Sequence, residues 1–406
     1  MNIEKLKSEY ITCELCKGQF HSISAHLKDA HPDISVEDYK RMFPEAPLLS
    51  KYGVAKIEEY RKSLEKIEAE SKITVVPTES EDSVKKTVRS VFGISVSNKK
   101  GEEIKVSVLN DSNNTKTQAL IPEVSDNYIF SPQELKYQLM ALEMNLPCLV
   151  WGHKGTGKTE GIEQICARTN RAFMRVQHTA NTEEVHIVGQ WIVKNKETVY
   201  QLGALPLAMM HGWVYVADEY DFATPHVLSV YQSVLEGKPL VIKDAPEELR
   251  IIKPHKNFRF FATGNTNGTG DETGTYAGTL TQNSANYDRF GIVVHKDYLP
   301  AKSEKNILIK KTGITKEDAN KLVDFASKIR KAYASGKVND TISPRALINA
   351  SQIGICLGDF MQGLRLSFTN KLTAVDEEIA LQIAQRIFGN ESTDSSETET
   401  EIEVAG

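Results

Sequence analysis

The stretch LPCLVWGHKGTGKTEGIEQICARTN, residues 146–170, decides the fold. An apolar run comes first, a glycine-rich loop follows, and an amphipathic helical pattern completes the stretch. Gly152 is followed after four residues by Gly157, Lys158 and Thr159, which is the spacing of a phosphate-binding loop. Glycines in such a loop let backbone N–H groups converge on phosphate oxygens, and the next helix points its positive end at them. The sequence therefore predicts a strand, a P-loop and a helix that bind a nucleotide.

The loop residues share the work of binding ATP and Mg²⁺. Lys158 is expected to neutralise charge on the β- and γ-phosphates, and the Thr159 hydroxyl is expected to bind Mg²⁺. A glycine-rich turn with an incidental lysine is the alternative, which the flanking strand and helix patterns disfavour. The predicted nucleotide-binding residues of the loop are Gly152, His153, Lys154, Gly155, Thr156, Gly157, Lys158 and Thr159.

A second buried strand, GWVYVADEYD, ends in two acidic residues about 60 residues after the loop, where P-loop ATPases keep an acidic pair. Asp218 is predicted to hold Mg²⁺ beside the nucleotide, partly through water. Glu219 is predicted to be the catalytic base, because a carboxylate next to the metal ligand can polarise the attacking water. A solvated strand end is the alternative for this pair on its own, and the preceding P-loop favours the functional interpretation.

A third apolar run, NFRFFATGNTN, ends with Thr263, Asn265 and Asn267. A polar side chain at this strand end can orient the same water molecule, and Asn265 is the predicted residue. The alternative for both asparagines is turn chemistry, which we favour for Asn267.

The chain divides by pattern into several segments. Helix, buried strand and glycine-rich turn succeed one another from Asn127 to Pro300, which indicates a three-layer α/β domain with a parallel sheet. Residues 302–388 show only helical periodicity and predict a helical lid. The predicted segments are a small Cys/His unit at 1–50, a charged helix and linker at 51–85, a β-hairpin region at 86–124, the ATPase core at 125–300, the lid at 301–389 and a disordered acidic tail at 390–406.

Two of these segments carry more detailed predictions. The run KYGVAKIEEYRKSLEKIEAESK predicts a solvated spacer helix, and residues 73–85 predict a flexible linker. VRSVFGISVS and IKVSVL predict two strands joined by a turn at NKKGEE.

The amino-terminal Cys/His unit has the spacing of a zinc site. Cys13 and Cys16 are separated by two residues, nine residues then precede His26, and four more precede His31. Two thiolates and two imidazoles suit tetrahedral Zn²⁺, with the histidines on a short helix or at its end. His21 is a spare imidazole that could replace either histidine. A unit this small has little core of its own, so a structural zinc ion is expected.

Composition limits the compartment and the partners. The net charge of −5 leaves no global basic field, so contact with nucleic acid would need a local patch. Five cysteines are too few for a disulfide scaffold, and Cys148, Cys166 and Cys356 lie in apolar runs that predict core positions. The sequence has neither a signal-like amino terminus nor an apolar run of about 18 residues. We expect a cytoplasmic protein that does not enter a membrane.

The motifs resemble one known family. GHKGTGKTEGIEQICAR, VADEYDFATPHVLSVYQSVLE and PHKNFRFFATGNTNGTGDETGTYAGTLTQNSANYDRF are similar to the AAA+ ATPase subunits of aerobic cobaltochelatase, within the wider MoxR-like group. The resemblance covers roughly residues 88–300. It implies Walker A at 152–159, Walker B at 214–219 and sensor 1 at Asn265.

The resemblance also gives roles to two arginines. Most arginines are surface ion-pair partners, and Arg289 and Arg345 have no distinguishing pattern beyond their places next to an apolar run and a proline that suits a helix start. The resemblance implies that Arg289 is an arginine finger, which reaches the γ-phosphate on a neighbouring subunit, and that Arg345 is sensor 2 in the lid.

Family membership further implies a ring, commonly a hexamer, and a partner protein with a von Willebrand A domain. Residues 179–212 resemble the loop insertion that this group directs at its substrate or partner; the alternative is a plain surface hairpin. The Cys/His unit departs from the family and is similar to the single zinc finger of Ros/MucR-type proteins. ATPases with such additions occur in bacteriophage genomes, which would place this chain in the host cytoplasm.

Two functional hypotheses follow. The first is a ring-forming motor that uses ATP to remodel a partner or chelatase complex, including metal insertion of the cobaltochelatase type. The alternative is a zinc-finger regulator that binds nucleic acid and uses ATP as an assembly switch, although the finger helix offers Lys28 alongside acidic residues and suits protein docking at least as well. A catalytically silent scaffold is disfavoured because every expected catalytic position is occupied.

Overall fold

The computed structural model of the chain describes residues 8–56, 58, 83–98, 100–110, 114–271, 276 and 278–389. The chain forms two compact units, Met1–Ser80 and Glu81–Gly406. Among the residues described, no helix is both long and apolar enough to cross a membrane.

The first unit is a short hairpin followed by two helices. Strands β1 (Ile11–Thr12) and β2 (Gln19–Phe20) pair antiparallel, and helices α1 (Ile23–Ala30) and α2 (Val36–Met42) follow. Serine side chains cap both helices, because Ser22 and Ser35 each accept a hydrogen bond from a backbone N–H in the first turn. The small core of this unit consists of Cys13, Ile23, Leu27, Tyr39 and Ala46.

The second unit holds the remaining elements. Its strands are β3 (Ser83–Thr87), β4 (Lys105–Leu109), β5 (Cys148–Trp151), β6 (Phe173–Gln177), β7 (Gly189–Lys194), β8 (Glu197–Leu202), β9 (Val214–Asp218), β10 (Leu240–Val241), β11 (Ile251–Ile252), β12 (Arg259–Gly264) and β13 (Ile292–His295). Its helices are α3 (Val88–Phe92), α4 (Thr115–Ala119), α5 (Pro132–Met144), α6 (Lys158–Arg168), α7 (Glu184–Val188), α8 (Ala204–His211), α9 (Pro225–Leu228), α10 (Gln232–Leu235), α11 (Ser284–Tyr287), α12 (Ala301–Thr312), α13 (Lys316–Ala334), α14 (Pro344–Leu357), α15 (Phe360–Ser367) and α16 (Ala374–Phe388).

The centre of the second unit is a parallel sheet with the strand order β13-β5-β12-β9-β6. Successive apolar residues on β5, β6, β9 and β12 enter two different cores, one on each face of the sheet. Both faces are therefore covered, as parallel sheets require, and the predicted three-layer α/β fold is confirmed. The carboxyl ends of β5, β9 and β12 lie at the same edge, which brings together the polar residues that follow them.

The lid consists of helices α12 to α16. The long helix α13 buries an apolar stripe that includes Leu322, Phe325 and Ile329, and this stripe packs with Leu347 of α14 and Leu364 of α15. The helical character predicted for residues 302–388 is thus confirmed.

The predicted hairpin at 86–124 was wrong in one strand. IKVSVL does contain β4, but its partner is β3, which begins three residues inside the predicted linker at 73–85. VRSVF forms helix α3 instead of a strand. The Thr87 side chain caps the first turn by accepting from Ser90 N–H, and Gly93 ends the helix at a φ of +70°, so local capping outweighs the β-branched pattern.

Residues 51–56 and 58 of the predicted spacer helix are helical. The rest of that helix, the linker up to residue 82, and the predicted tail at 390–406 lie outside the described residues.

Candidate nucleotide site and Cys/His cluster

The P-loop connects β5 to α6 at the centre of the sheet. Lys158 begins α6, and its Nζ donates hydrogen bonds to the carbonyls of Gly152 at 2.7 Å and His153 at 3.1 Å, and to Asn265 Oδ1 at 3.0 Å. Burial lowers the pKa of Lys158 to about 8, although Asp221, Asp218 and Glu219 oppose that shift. The lysine therefore links the loop after β5 to Asn265, which follows β12.

Glycine is required at two loop positions by close approach. A Cβ on Gly152 would lie 2.1 Å from the carbonyl oxygen of Lys296, which follows β13. A Cβ on Gly155, whose φ is +73°, would lie 2.6 Å from Cβ of Ser343, the residue that caps α14 of the lid. One glycine thus fits the loop to the sheet, and the other fits it to the lid.

Asp218 accepts hydrogen bonds on both of its carboxylate oxygens. Its Oδ1 accepts hydrogen bonds from Thr159 Oγ1, at 2.6 Å, and from Thr263 Oγ1. Its Oδ2 accepts from Arg175 Nε at 2.8 Å. Burial alone would raise the pKa of Asp218, but the two hydroxyl groups and the guanidinium hold it below its usual range. The side chain is therefore ionised at neutral pH.

Glu219 lies beyond the end of β9. Its φ of +54° is in the left-handed region, which few residues other than glycine adopt. Its backbone N–H donates to Thr263 Oγ1 at 3.2 Å, and its Oε2 accepts from Gln177 Nε2 at 2.8 Å. The neighbouring acids Asp218 and Glu219 both line the cavity.

Asn265 follows β12 and is fixed through its backbone by Asp221. The fully buried carboxylate of Asp221 accepts from the N–H of Asn265 at 2.9 Å, and from the N–H and hydroxyl of Thr266 at 2.8 and 2.9 Å. Burial raises the pKa of Asp221 despite these bonds. Asn267 is exposed and its Oδ1 accepts from Thr269 Oγ1 at 2.8 Å, which is the turn role favoured from the sequence.

A cavity of about 530 Å³ lies between the core and the lid, and its wall includes residues 154–159, Asp218, Glu219 and Asn265, whereas Gly152 and His153 are not part of it. Arg345 lines it from the start of α14, so the structure brings this arginine to the P-loop. The remaining wall is partly apolar and suits the flat face of a nucleobase. That part of the wall consists of Tyr128, Ile129, Leu299, Ile307, Pro344 and Ile348.

Two P-loop side chains contact the lid side of the cavity. Lys154 Nζ lies 2.7 Å from Asp340 Oδ2, just before α14. His153 forms a 2.9 Å hydrogen bond with Tyr276 Oη and stacks on Tyr298 with ring centroids 5.6 Å apart. Arg330 of α13 covers that tyrosine ring, 3.8 Å from its centroid. The loop is therefore connected to the lid by an ion pair and by stacked rings.

Arg289 is the one predicted catalytic residue that the described chain does not place in the cavity wall. Its Nε donates to Glu236 Oε1 at 2.7 Å and its Nη1 donates to the carbonyl of Ala285 at 2.6 Å. These contacts hold the guanidinium at the surface, with about a quarter of the side chain exposed.

Several residues of the site were not predicted from the sequence, and three of them are Arg175, Gln177 and Lys296. Arg175 and Gln177 project from β6 onto Asp218 at the end of β9 and onto the following residue, Glu219, and strand alternation in FMRVQ was the available signal. Lys296 is buried beneath the P-loop, and its Nζ donates to Glu134 Oε2 at 2.7 Å. Such contacts depend on strand register, which motif spacing does not reveal.

The first unit brings the four predicted zinc ligands together. The ligand atoms of Cys13, Cys16, His26 and His31 all lie within 4.8 Å of one another. His26 lies in α1 and His31 caps its end, as predicted. The buried Nε2 of His31 has no hydrogen-bond partner among the described residues. A metal ion bound to this nitrogen would satisfy it.

The other histidine and the remaining cysteines are placed differently. His21 is engaged elsewhere, because its Nδ1 bonds Ser50 Oγ at 2.9 Å and its ring stacks on Tyr10. Cys148 and Cys166 are buried, as predicted, but the core position predicted for Cys356 was wrong. This residue is on the exposed side of α14 near its end, where an apolar run continues onto the surface.

Two family models match parts of the second unit. Residues 147–277 match the family model for the AAA domain of the dynein-related subfamily, and residues 304–386 match the model for the CbbQ/NirQ/NorQ C-terminal region. Fold and site together define an AAA+ P-loop ATPase. Such an enzyme binds ATP and Mg²⁺.

A curated relative identifies the family. The chain is 34% identical over 315 residues to the aerobic cobaltochelatase subunit CobS of a Sinorhizobium species, a match that spans 75% of this chain and 91% of the relative. It is also 30% identical over 209 residues to midasin of Dictyostelium discoideum, of which it covers 3%. The chain belongs to the CobS-type family of AAA+ ATPases.

The fold is similar to that of a putative ATPase from Cytophaga hutchinsonii, at 17% identity and a TM-score of 0.35. The match covers 64% of this chain and 82% of that one. The fold is also similar to that of the Holliday junction branch migration motor RuvB of Thermotoga maritima, at 15% identity and a TM-score of 0.38, a match that covers 66% of this chain and 73% of that one.

Proposed function

We propose that this chain is a subunit of a ring-shaped ATP-driven motor that remodels a partner complex of the chelatase type. The observation that carries the proposal is the convergence of Lys158, Thr159, Asp218, Glu219 and Asn265 on one cavity. The relative's name associates CobS with aerobic cobaltochelatase, and 91% of that relative is covered, which supports a client of the same general kind.

The proposed roles follow from the contacts. Lys158 holds the phosphates, and the hydroxyl of Thr159 and the carboxylate of Asp218 offer the hard oxygen ligands that Mg²⁺ prefers. Bound magnesium supplies charge stabilisation at the phosphates. Glu219 accepts the proton of the attacking water, Asn265 orients that water, and Arg345 contacts the nucleotide from the lid.

The position of Arg289 supports the proposed ring. Its side chain lies outside the described wall of its own cavity and is about a quarter exposed, so we propose that it exchanges its contacts with Glu236 and Ala285 for the γ-phosphate on another copy of the chain. A finger from a neighbouring subunit stabilises charge in the transition state of phosphoryl transfer. We propose a hexamer, with residues 179–212 directed at a partner that carries a von Willebrand A domain.

Mixing subunits tests this proposal. Wild-type and Arg289→Ala chains are combined in varying ratios, and Mg²⁺-dependent ATP hydrolysis and particle size are measured on the same samples. A shared site predicts ring-sized particles, and activity that falls faster than the wild-type fraction. Monomers that hydrolyse ATP without Arg289 would refute the ring.

We further propose that the first unit binds one structural Zn²⁺ through Cys13, Cys16, His26 and His31. The residues fit the ion, because two thiols and two imidazoles converge and one buried imidazole nitrogen lacks a partner. Exposed Lys28 on α1 is followed by exposed Asp29, so the helix carries little net charge there and suits a protein partner better than DNA.

A further inference from the structure

Arg175 forms a two-point contact with the acid proposed to hold magnesium. Its Nε lies 2.8 Å and its Nη2 2.5 Å from Asp218 Oδ2. About half of the arginine side chain is exposed and it lines the nucleotide cavity, whereas only 4% of the Asp218 side chain is exposed. The guanidinium is therefore the more accessible member of this pair.

The sheet explains why an arginine reaches this position. Strand β6 is the edge strand of the sheet and pairs with β9, so that Gln177 lies beside Asp218 and Arg175 beside Val216. Residues two apart on a strand share a face, and Arg175 and Gln177 thus contact Asp218 and Glu219 respectively. One edge strand supplies a side chain to each acid.

The carboxylate of Asp218 has no spare oxygen. Thr159 and Thr263 donate to Oδ1, and Arg175 occupies Oδ2. A cation that binds this carboxylate must displace at least one of these donors. The hydroxyl of Thr159 can itself ligate the metal and rotate its proton away, whereas a guanidinium has no acceptor and repels a divalent ion.

We propose that Arg175 competes with Mg²⁺ for Asp218 and so sets the magnesium concentration at which the site binds nucleotide. The proposal rests on the role proposed above for Asp218. Only the arginine of this ion pair is half exposed, whereas the carboxylate is buried, so competition of this kind shifts the magnesium requirement about fivefold to tenfold. An arginine that only braced the strand would leave that requirement unchanged.

The test is an equilibrium titration on the full chain. Binding of a fluorescent ATP analogue is followed while free Mg²⁺ is raised, for wild type, Arg175→Gln, Arg175→Lys and the control Arg365→Gln, which removes an exposed positive charge from α15 of the lid. Mn²⁺ replaces Mg²⁺ in a second series, in which electron paramagnetic resonance counts the free ion. Thermal unfolding verifies that each variant is folded.

The expected result is a midpoint in Mg²⁺ and in Mn²⁺ that is about fivefold to tenfold lower in Arg175→Gln than in wild type, with Arg175→Lys between them and Arg365→Gln unchanged. An unchanged or higher midpoint in Arg175→Gln overturns the proposal. So does a loss of nucleotide affinity at saturating metal with the midpoint intact, because that result makes Arg175 a phosphate ligand. Wild-type binding that ignores metal would refute the assignment of Asp218 itself.

Discussion

Lys154 Nζ lies 2.7 Å from Asp340 Oδ2, and this ion pair joins the P-loop to the segment that leads into lid helix α14. The two side chains are 43% and 32% exposed, so solvent screens their attraction. The pair is a contact between the part of the molecule that binds phosphate and the part that closes over it.

Asp340→Asn is expected to lower the free energy of unfolding by about 0.5–1 kcal/mol, the range for a partly exposed pair. Lys154→Met should cost a similar amount, and the double variant should cost little more than either single change. Urea unfolding of the four proteins measures this coupling. Strictly additive losses would show that the two side chains do not stabilise each other.

Stability should fall in mild acid because of His153. Burial lowers the pKa of this histidine below its usual 6.5. Between the lowered pKa and about 6.5 the unfolded chain binds the proton more readily, so the folded state loses stability as pH falls through that window. His153→Gln removes the titration but keeps hydrogen-bonding capacity. Melting temperatures from about pH 7.5 to about pH 5.5 should fall less in this variant than in wild type; equal slopes would contradict the prediction.

Glu219→Gln is expected to slow ATP hydrolysis at least about a hundredfold, since general base catalysis contributes about 10²–10⁴. Nucleotide affinity should be little changed, because Lys158 and Asp218 remain. Single-turnover hydrolysis and equilibrium binding separate the two effects. A variant that hydrolyses ATP at the wild-type rate would remove Glu219 from its proposed role.

Gln177→Ala offers a matched test of the neighbouring contact. It frees the Glu219 carboxylate from its 2.8 Å hydrogen bond without changing the acid itself. We expect the rate of ATP hydrolysis to change. Nucleotide affinity should stay within about a factor of three of the wild-type value, since the substitution removes only one hydrogen bond between an amide and a carboxylate. A tenfold loss of affinity would show instead that Gln177 shapes the binding pocket.

The Cys/His cluster predicts one zinc ion per chain. Elemental analysis of the purified protein should find it in wild type and lose it in Cys13→Ser, while His21→Asn should retain the metal because His21 bonds Ser50 instead. Loss of zinc should unfold the first unit, whose apolar core is small. Full metal content in Cys13→Ser would rule out this set of ligands.

Most of the nucleotide site could be predicted from the sequence because its residues follow buried strands directly. Lys158, Thr159, Asp218 and Asn265 lie at strand ends or in the loop after a strand, and parallel strands bring those ends to one edge. Spacing along the chain was sufficient to predict that they meet.

What escaped prediction depended on register or on local capping. Arg175 required knowledge that β6 pairs with β9 and in which alignment. The helix at VRSVF was hidden by β-branched residues, although the Thr87 cap and Gly93 were visible signals. Cys356 lies in an apolar run that extends past the buried face of α14, so hydrophobicity alone gave no indication of its exposure.

The three glycines of the P-loop have different nearest neighbours. A side chain at position 152 would strike the main chain after β13, one at position 155 would strike Ser343, and one at position 157 would find its nearest neighbour only at 3.8 Å. A methyl group at position 155 would therefore act as a wedge that props the lid open. Gly155 occupies one of the unspecified positions of the P-loop consensus, yet its lack of a side chain sets how closely the lid can approach the phosphate-binding loop.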